Sequence, residues 1–284
     1  MMVGVGLPNA IRNITAASIP QWAIEAEGAS FSSCASFGRF GYPGVSDTVT
    51  LAAAAAVTRT VKLLSAVLIA PAWPPSLLAK EVAGIAGISN GRLTLGVGVG
   101  VRADDFPVSG RGLSDRGRRL DQDLPTLREL WAGVPMGRGQ DPIVPEDTPE
   151  IPLLFGAMSP AGMARMAMWG KGYIGPGLPA TVIAPFFDGA RAAWQQAGRA
   201  GEPHLVGVAY YGLADDDGAR AYVADYYSAT PNYVDTMVSG VATTAREIAS
   251  VRDRYEDMGV HELVFCPTSP DVAEVGRLAD ALRL

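Results

Sequence analysis

Histidine and cysteine are the scarcest reactive residues in this chain. Only His204, His261, Cys34 and Cys266 occur among 284 residues. Neither histidine has a His or Cys partner at ligand spacing, so a metal centre has almost no ligands to draw on. The two cysteines are far apart and both sit inside strand-like runs, which favours buried free thiols in a reducing compartment over a disulfide. No G-x-S-x-G elbow occurs and no pair of acids is arranged for hydrolysis, so a hydrolase has no nucleophile here. Basic clusters are also missing. With a net charge of −6, a pI near 5.0 and only Arg116, Arg118 and Arg119 close together, nucleic-acid binding is disfavoured. No uninterrupted apolar run reaches the ~18 residues of a membrane span. The start, MMVGVGLPNAIRN, lacks the basic n-region of a leader, so a cytoplasmic protein is expected.

What is present is apolar surface and turns. Hydrophobic residues make up 48% against 18% charged, with 33 Gly and 21 Pro. This balance excludes disorder and fits one folded domain over residues 1–284. The most informative stretch runs from Leu77 to Gly100, LLAKEVAGIAGISNGRLTLGVGVG. Leu77, Leu78, Val82, Ile85 and Ile88 recur at helical spacing, and Asn90-Gly91 closes that helix. Leu93, Leu95, Val97 and Val99 then alternate as a strand. The polar segment Val101 to Pro107 follows directly, which is where α/β proteins place chemistry.

The same alternation recurs along the chain. Strands are expected at Val3 to Leu7, Phe31 to Ala35, Val61 to Ile69, Leu93 to Val99, Ile151 to Gly156, Gly172 to Gly175, His204 to Leu213 and His261 to Cys266. Helices fall between them, capped by Ser18, by Ser46 or Asp47, by Ser159 ahead of Pro160, and by Thr243 or Thr244 with Glu247 at capping-box spacing. Ser114 and Asp115 precede a long helix whose stripe is Leu120, Leu124, Leu127, Leu130 and Trp131. The Thr181 to Gly198 stretch is helical too, as are Asp215 to Ser228 and Tyr233 to Gly240. Residues 132–150 show no periodicity and read as a surface excursion. Eight strands alternating with helices predict an α/β fold, a (β/α)8 TIM barrel, with an open doubly wound sheet as the alternative.

Several residues are candidates for a site at the strands' C-terminal ends. Gly98 to Ala103 fits G-x-G-x-x-A but leads into a loop instead of a helix, so it is no dinucleotide fingerprint. Gly96, Gly98 and Gly100 instead allow something to approach the strand closely, either a neighbouring side chain or a flat ligand. Gly156, Ala157, Met158 and Ser159 end a strand and open a helix, where free N–H groups and the helix dipole favour an anion; Gly175 and Gly177 lie one unit later. Arg116, Arg118 and Arg119 start a helix, against its dipole, with a phosphate or carboxylate ligand as one candidate partner and Asp121 or Asp123 as the commoner one. Arg39 lies in a Gly-aromatic loop after strand two. His204 and His261 begin strands, at the end of a barrel associated with stability. A pocket this poor in acid–base groups suits a cofactor that carries its own chemistry.

The Leu77 to Gly100 segment, followed by RADDF, RGRRLDQDL and the helix ending at Trp131, resembles the bacterial luciferase-like flavin-dependent oxidoreductases. The resemblance continues through the alanine-rich helix before Thr58, the FGAMSP turn, HLVGVAYYGL and HELVFCPTSPD. It implies a (β/α)8 barrel, a homodimer or higher homo-oligomer, and FMN or coenzyme F420 at the C-terminal ends of the strands. It also implies hydride transfer or oxygenation of a small organic substrate, with a separate flavin or F420 reductase as a possible partner. Carried over, it places the cofactor phosphate at Gly156, Ala157, Met158 and Ser159 with Gly175 and Gly177, and the ring against Ala66, Val67, Gly98 and Gly100. Arg39 is the catalytic candidate. It matches the second residue of an Asp-Arg pair found in relatives, but Gly38 stands at the acidic position and the histidine common nearby is absent. Lys171 and Tyr173 replace a usual Asp and Trp, and the region after Trp131 is trimmed. These departures leave the acid or base unassigned, and they make a cofactor-binding protein with little or no turnover the alternative.

Overall fold

Period-two apolar runs become strands and period-3.6 runs become helices in strict alternation. The computed structural model describes all 284 residues. Its strands are β1 (Met2–Gly6), β2 (Ser33–Ser36), β3 (Lys62–Ser65), β4 (Leu68–Ile69), β5 (Leu93–Gly98), β6 (Leu153–Gly156), β7 (Gly172–Ile174), β8 (His204–Tyr211) and β9 (Glu262–Pro267). Every pairing between them is parallel, in the order β3-β2-β1-β9-β8-β7-β6-β5-β4. A further β3–β5 pairing joins the two ends of that order and closes the sheet. β3 and β4 act as one interrupted stave, so this is the eight-stave barrel.

Around it lie α1 (Ser18–Gly28), α2 (Asp47–Val57), α3 (Pro75–Ile88), α4 (Asp105–Ser109), α5 (Arg116–Trp131), α6 (Pro160–Trp169) and α7 (Ala184–Gln196). The chain then adds α8 (Asp216–Tyr226), α9 (Val234–Ser239), α10 (Ala245–Asp257) and α11 (Ala273–Leu282). Leu120, Leu124, Leu127 and Leu130 of α5 are all buried, each worth ~1.5–3 kcal/mol relative to exposure. Trp131 fixes the end of that helix by donating its indole N–H to the Ala79 carbonyl at 3.1 Å. On α10, Thr244 and Glu247 form the capping box that their spacing predicts. Asn90 and Gly91 close α3 with positive φ.

Several local expectations are corrected. Leu77 and Ile88 are exposed; the buried stripe of α3 is Leu78, Val82 and Ile85 with alanines between them, because one helical face cannot bury adjacent leucines. The expected strand from Val61 to Ile69 breaks at Ala66–Val67, a cis peptide, between β3 and β4. Ser18 does not cap α1; its hydroxyl donates to the Thr15 carbonyl from inside the first turn. The helix expected from Thr181 begins at Ala184, with Pro185 in its first turn. Val101 to Pro107 is not all loop, since it runs into the short α4. Between Trp131 and Leu153 there is neither helix nor strand.

The N-terminal end of the barrel carries the two histidines, whose rings lie 5.0 Å apart. His261 accepts the Leu205 N–H on Nδ1, and burial followed by His261 lowers the His204 pKa. Cys34 and Cys266 are buried free thiols; burial pushes Cys34 to about 12 and raises Cys266 as well.

Candidate active site

The C-terminal ends of the staves bring together residues scattered over the whole sequence. Ala66–Val67 lies between β3 and β4, beside the ends of β5 and β6. A Cβ added to Gly98 would sit 2.7 Å from Val67 Cγ2, and one on Gly156 would sit 3.1 and 3.2 Å from the two Val67 methyls. The glycines therefore make room for Val67. Gly100, at φ 73°, similarly accommodates Ile69 and Phe106. The apolar face offered to a flat ligand is the Val67 side chain resting on Gly98 and Gly156, and not bare glycine backbone.

Beside this ledge, β6 runs into the turn Ala157, Met158, Ser159 and then α6. Ser159 is the N-cap, its Oγ accepting the Gly162 N–H at 3.3 Å. The backbone N–H groups of Ala157, Met158 and Ser159 donate to no protein acceptor, and neither does that of Gly177 after β7. Those of Ala157, Met158 and Ser159 stand ahead of α6, at the positive end of its dipole, an arrangement that accepts phosphate or carboxylate. Tyr173, fully buried, donates its hydroxyl to the Ala157 carbonyl at 2.7 Å and holds the turn in place. Gly177 packs beneath Tyr210, where a Cβ would meet the ring at 3.0 Å. Gly175 lies against Phe187. A larger apolar groove of 610 Å3 begins at Met158 to Pro160 and continues outward between α6 and α7, away from the mouth.

Arg39 does not stand free. Its Nε donates to both Asp105 oxygens at 3.0 and 3.1 Å, and Nη2 donates to Asp104 at 3.0 Å. Asp105 is 1% exposed and also accepts the Phe40 and Gly41 N–H groups at 2.8 Å each. Burial opposes the guanidinium charge, yet Tyr226 and the two carboxylates hold its pKa above the ordinary value. The Tyr226 ring lies between two cations, 5.2 Å from Arg39 and 4.7 Å from Arg102. Tyr222 donates to the Ala10 carbonyl at 3.0 Å, Tyr42 donates to Asp225 at 2.6 Å, and the Tyr210 and Tyr227 hydroxyls are 2.9 Å apart. Helix α8 and the Tyr227 that ends it are thereby tied to the loops that follow β1, β2 and β5 and to β8 itself. Burial raises the Tyr226 hydroxyl although Arg39 and Arg102 oppose it.

Gly38 has a structural reason. A Cβ there would lie 2.9 Å from Asp47 Oδ2 and 2.7 Å from the Val67 carbonyl oxygen. A carboxylate from the first turn of α2 thus occupies the space that a side chain at position 38 would need. Asp47 is buried, and that burial, with Glu81 adding to it, pushes its carboxyl up to about 6 against the pull of the Thr48 N–H. The sequence reading noted Asp47 only as a possible cap. Its signal was the coincidence of a missing acid at 38 and an acid nine residues later at a helix start. The tyrosines of α8 also went unread, although Tyr222 and Tyr226 stand at i, i+4. Arg116, Arg118 and Arg119 do not pair with Asp121 or Asp123. Arg116 donates to the Gly100 carbonyl at 2.8 Å, Arg118 and Arg119 face Asp115, and Asp121 holds Arg165 instead.

Comparison with known proteins bears on the fold and the family. The family model described as luciferase-like monooxygenase matches residues 1–269. An uncharacterized protein of Mycobacterium tuberculosis is 30% identical over 138 residues, 45% of this chain and 46% of that protein. The F420-dependent hydroxymycolic acid dehydrogenase of the same organism is 28% identical over 177 residues, 57% of this chain and 48% of its own length. A 78-residue stretch, 27% of this chain and 22% of the relative, is 36% identical to the oxygenase component of a flavin-dependent trigonelline monooxygenase from Acinetobacter baylyi. The chain spans about half the length of the curated relatives it matches. Among solved structures, an F420-dependent secondary alcohol dehydrogenase superposes with a TM-score of 0.79 at 18% identity, over 99% of this chain and 97% of that one. The F420-dependent tetrahydromethanopterin reductase of Methanopyrus kandleri gives 0.75 at 16%, over 98% and 97%. These likenesses carry the fold, and the family match over nearly the whole length carries membership: the chain belongs to the luciferase-like monooxygenase family.

Proposed function

We propose that this protein is a flavin- or deazaflavin-dependent oxidoreductase acting on a small organic substrate. The observation that carries the reading is the meeting, at one barrel mouth, of an apolar ledge and a set of unpartnered N–H groups. Val67, with Ala66, Gly98 and Gly100, would hold the tricyclic ring, and Gly156, Ala157, Met158 and Ser159 with Gly175 and Gly177 would hold the ribityl phosphate. The residues present fit such a group, because free N–H groups suit phosphate oxygens and the side-chain surface of the ledge is the Val67 methyls. When bound, FMN or F420 supplies the hydride or electron chemistry that these side chains cannot.

The protein's own part is to bind, orient and exclude water. Arg39, clamped by Asp104 and Asp105, acts as a fixed hydrogen-bond donor at the mouth and cannot serve as a base. Asp47 is the group able to hold or release a proton near neutral pH, and it stands where relatives' acid at position 38 is missing. The α8 tyrosines cover the mouth and keep solvent from the ring. The names of the relatives support both cofactors, one F420-dependent and one an oxygenase component, and the latter supports a separate reductase if the cofactor is FMN. A cytoplasmic homodimer fits the same reading; no helix is long and apolar enough to cross a membrane. The test is a spectral titration with FMN and with F420. Micromolar binding of one, weakened by added inorganic phosphate, supports the proposal, and failure of both to bind sinks it.

A further inference from the structure

Three arginines pack on the tyrosines around the barrel mouth, and carboxylates hold only two of them. The Arg12 guanidinium lies 4.9 Å from the Tyr42 ring and donates to Asp225, while Arg39 is held by Asp104 and Asp105. Arg102, two residues beyond Gly100 in the loop after β5, is different. It is 6% exposed, yet no carboxylate pairs with it and no protein acceptor takes its N–H groups. Asp104 and Asp105, which follow it in its own loop, both turn to Arg39.

The surroundings of Arg102 fix the ion without satisfying it. Its guanidinium carbon sits 4.7 Å from the centre of the Tyr226 ring and 5.0 Å from that of Tyr227, in the corner that these rings make at 71°. Ring faces attract the charge and hold its plane, but they offer no oxygen to its N–H donors. A charge covered this far is costly unless it is paired, and arginines are seldom covered without a partner. Burial here is not closure. Each guanidinium nitrogen of Arg102 keeps accessible surface, unlike Arg39 Nη1, which is covered. A planar cation with no acid beside it attracts an anion, and its parallel N–H pair matches the two oxygens of a carboxylate. On the proposed reading the cofactor phosphate has its own donors in the turn after β6, which leaves Arg102 for the substrate.

We propose that Arg102 is a specificity-determining residue whose guanidinium fork binds the carboxylate of an organic acid substrate at the barrel mouth. This rests on the proposed function and names its substrate class. Benzoate and benzamide have nearly the same shape and differ in charge, and acetate with acetamide and hexanoate with hexanamide repeat the comparison at other sizes. Calorimetric titration of the full-length protein, with and without FMN or F420, reads binding, and thermal unfolding reads the fold. At least one acid binds saturably at millimolar concentration or below, and its amide binds about tenfold more weakly or worse. Arg102→Met weakens the acid roughly 10–100-fold, the worth of a charge-assisted hydrogen bond, and shifts Tm by no more than about 2 °C, because no buried acid loses its partner. Arg102→Lys keeps the charge without the fork and recovers part of the affinity. The inference is overturned if acid and amide bind alike, if no acid binds at decimolar concentration, or if inorganic phosphate binds as tightly as the acids, which marks a general anion site. A fall in Tm for Arg102→Met with acid binding unchanged overturns it as well, since the stack on Tyr226 and Tyr227 is then only structural. So does an equal loss of FMN or F420 binding in that variant, which assigns the residue to the cofactor. The comparison of acid with amide on the unmodified protein decides even if the variant does not fold. Cofactor binding without an acid response sinks this inference alone, and an acid response without cofactor binding sinks the functional proposal alone.

Discussion

Replacing Asp105 by alanine is the sharpest test of how the barrel mouth is held together. The substitution removes the acceptor of Arg39 Nε and of the Phe40 and Gly41 N–H groups, and it leaves a guanidinium whose side chain is only 5% exposed. Asp104 remains as a partner, but its side chain is 41% exposed and its charge is screened. Taking one member out of a buried ion pair costs about 3–5 kcal/mol. For 284 residues, at ~2.1 cal/mol/K of unfolding entropy per residue, that is a fall in Tm of roughly 5–8 °C. Calorimetry and urea unfolding measure it directly. The double variant Arg39→Leu with Asp105→Leu should lose less than the sum of the two single variants, because no unpaired charge is left behind. A Tm for Asp105→Ala within about 1 °C of the parent, or strict additivity in the double variant, refutes the claim that this pair ties the β2 and β5 loops.

Gly96→Ala should destabilise the protein by about 3 kcal/mol or more, visible as lost soluble yield, since the new Cβ overlaps the Ser65 carbonyl oxygen where β3 meets β5. Ser159→Ala removes the α6 cap and should cost about 1 kcal/mol in chemical denaturation while weakening cofactor binding. Asp47 gives a pH signature. Burial raises its carboxyl from the ordinary 3.8 to about 6 in the folded state, so the folded state holds the proton more tightly and stability falls as pH rises through that window. Asp47→Asn should therefore be more stable than the parent at pH 7, on the order of 3 kcal/mol, with the gap closing below pH 4. A gap that widens in acid contradicts the assignment of burial as the cause.

Much of this architecture could be read from periodicity alone. The switch from helix to strand at Asn90-Gly91, the leucine stripe of α5 and the Thr244–Glu247 box are local patterns, and local patterns survive folding. What could not be read depends on contacts between distant segments. The break at Ala66–Val67 lies inside the run from Leu63 to Ile69, in which Ser65 is the one polar residue, so no change of period marks it. Gly96, Gly98 and Gly100, in and just after β5, look alike in sequence, and only the barrel brings Val67 onto Gly98 and Gly156. The partners of Arg39, Asp104 and Asp105, lie more than sixty residues away, so no local pattern shows them. Helix α8 likewise brings Tyr226 to Arg39 and Arg102 from more than a hundred residues away in the chain. Asp47 was masked by its other possible role as a helix cap.

The most direct test of the account follows the reduced cofactor on the full-length protein. Reduced FMN or F420, whichever binds, is mixed in a stopped-flow instrument with O2 alone and with a panel of ketones, aldehydes and enones. The proposed oxidoreductase reoxidises its bound cofactor faster than the same cofactor reacts in free solution with at least one acceptor, and Asp47→Asn slows that step. Reoxidation no faster than in solution with every acceptor contradicts it and leaves a cofactor-binding barrel without turnover.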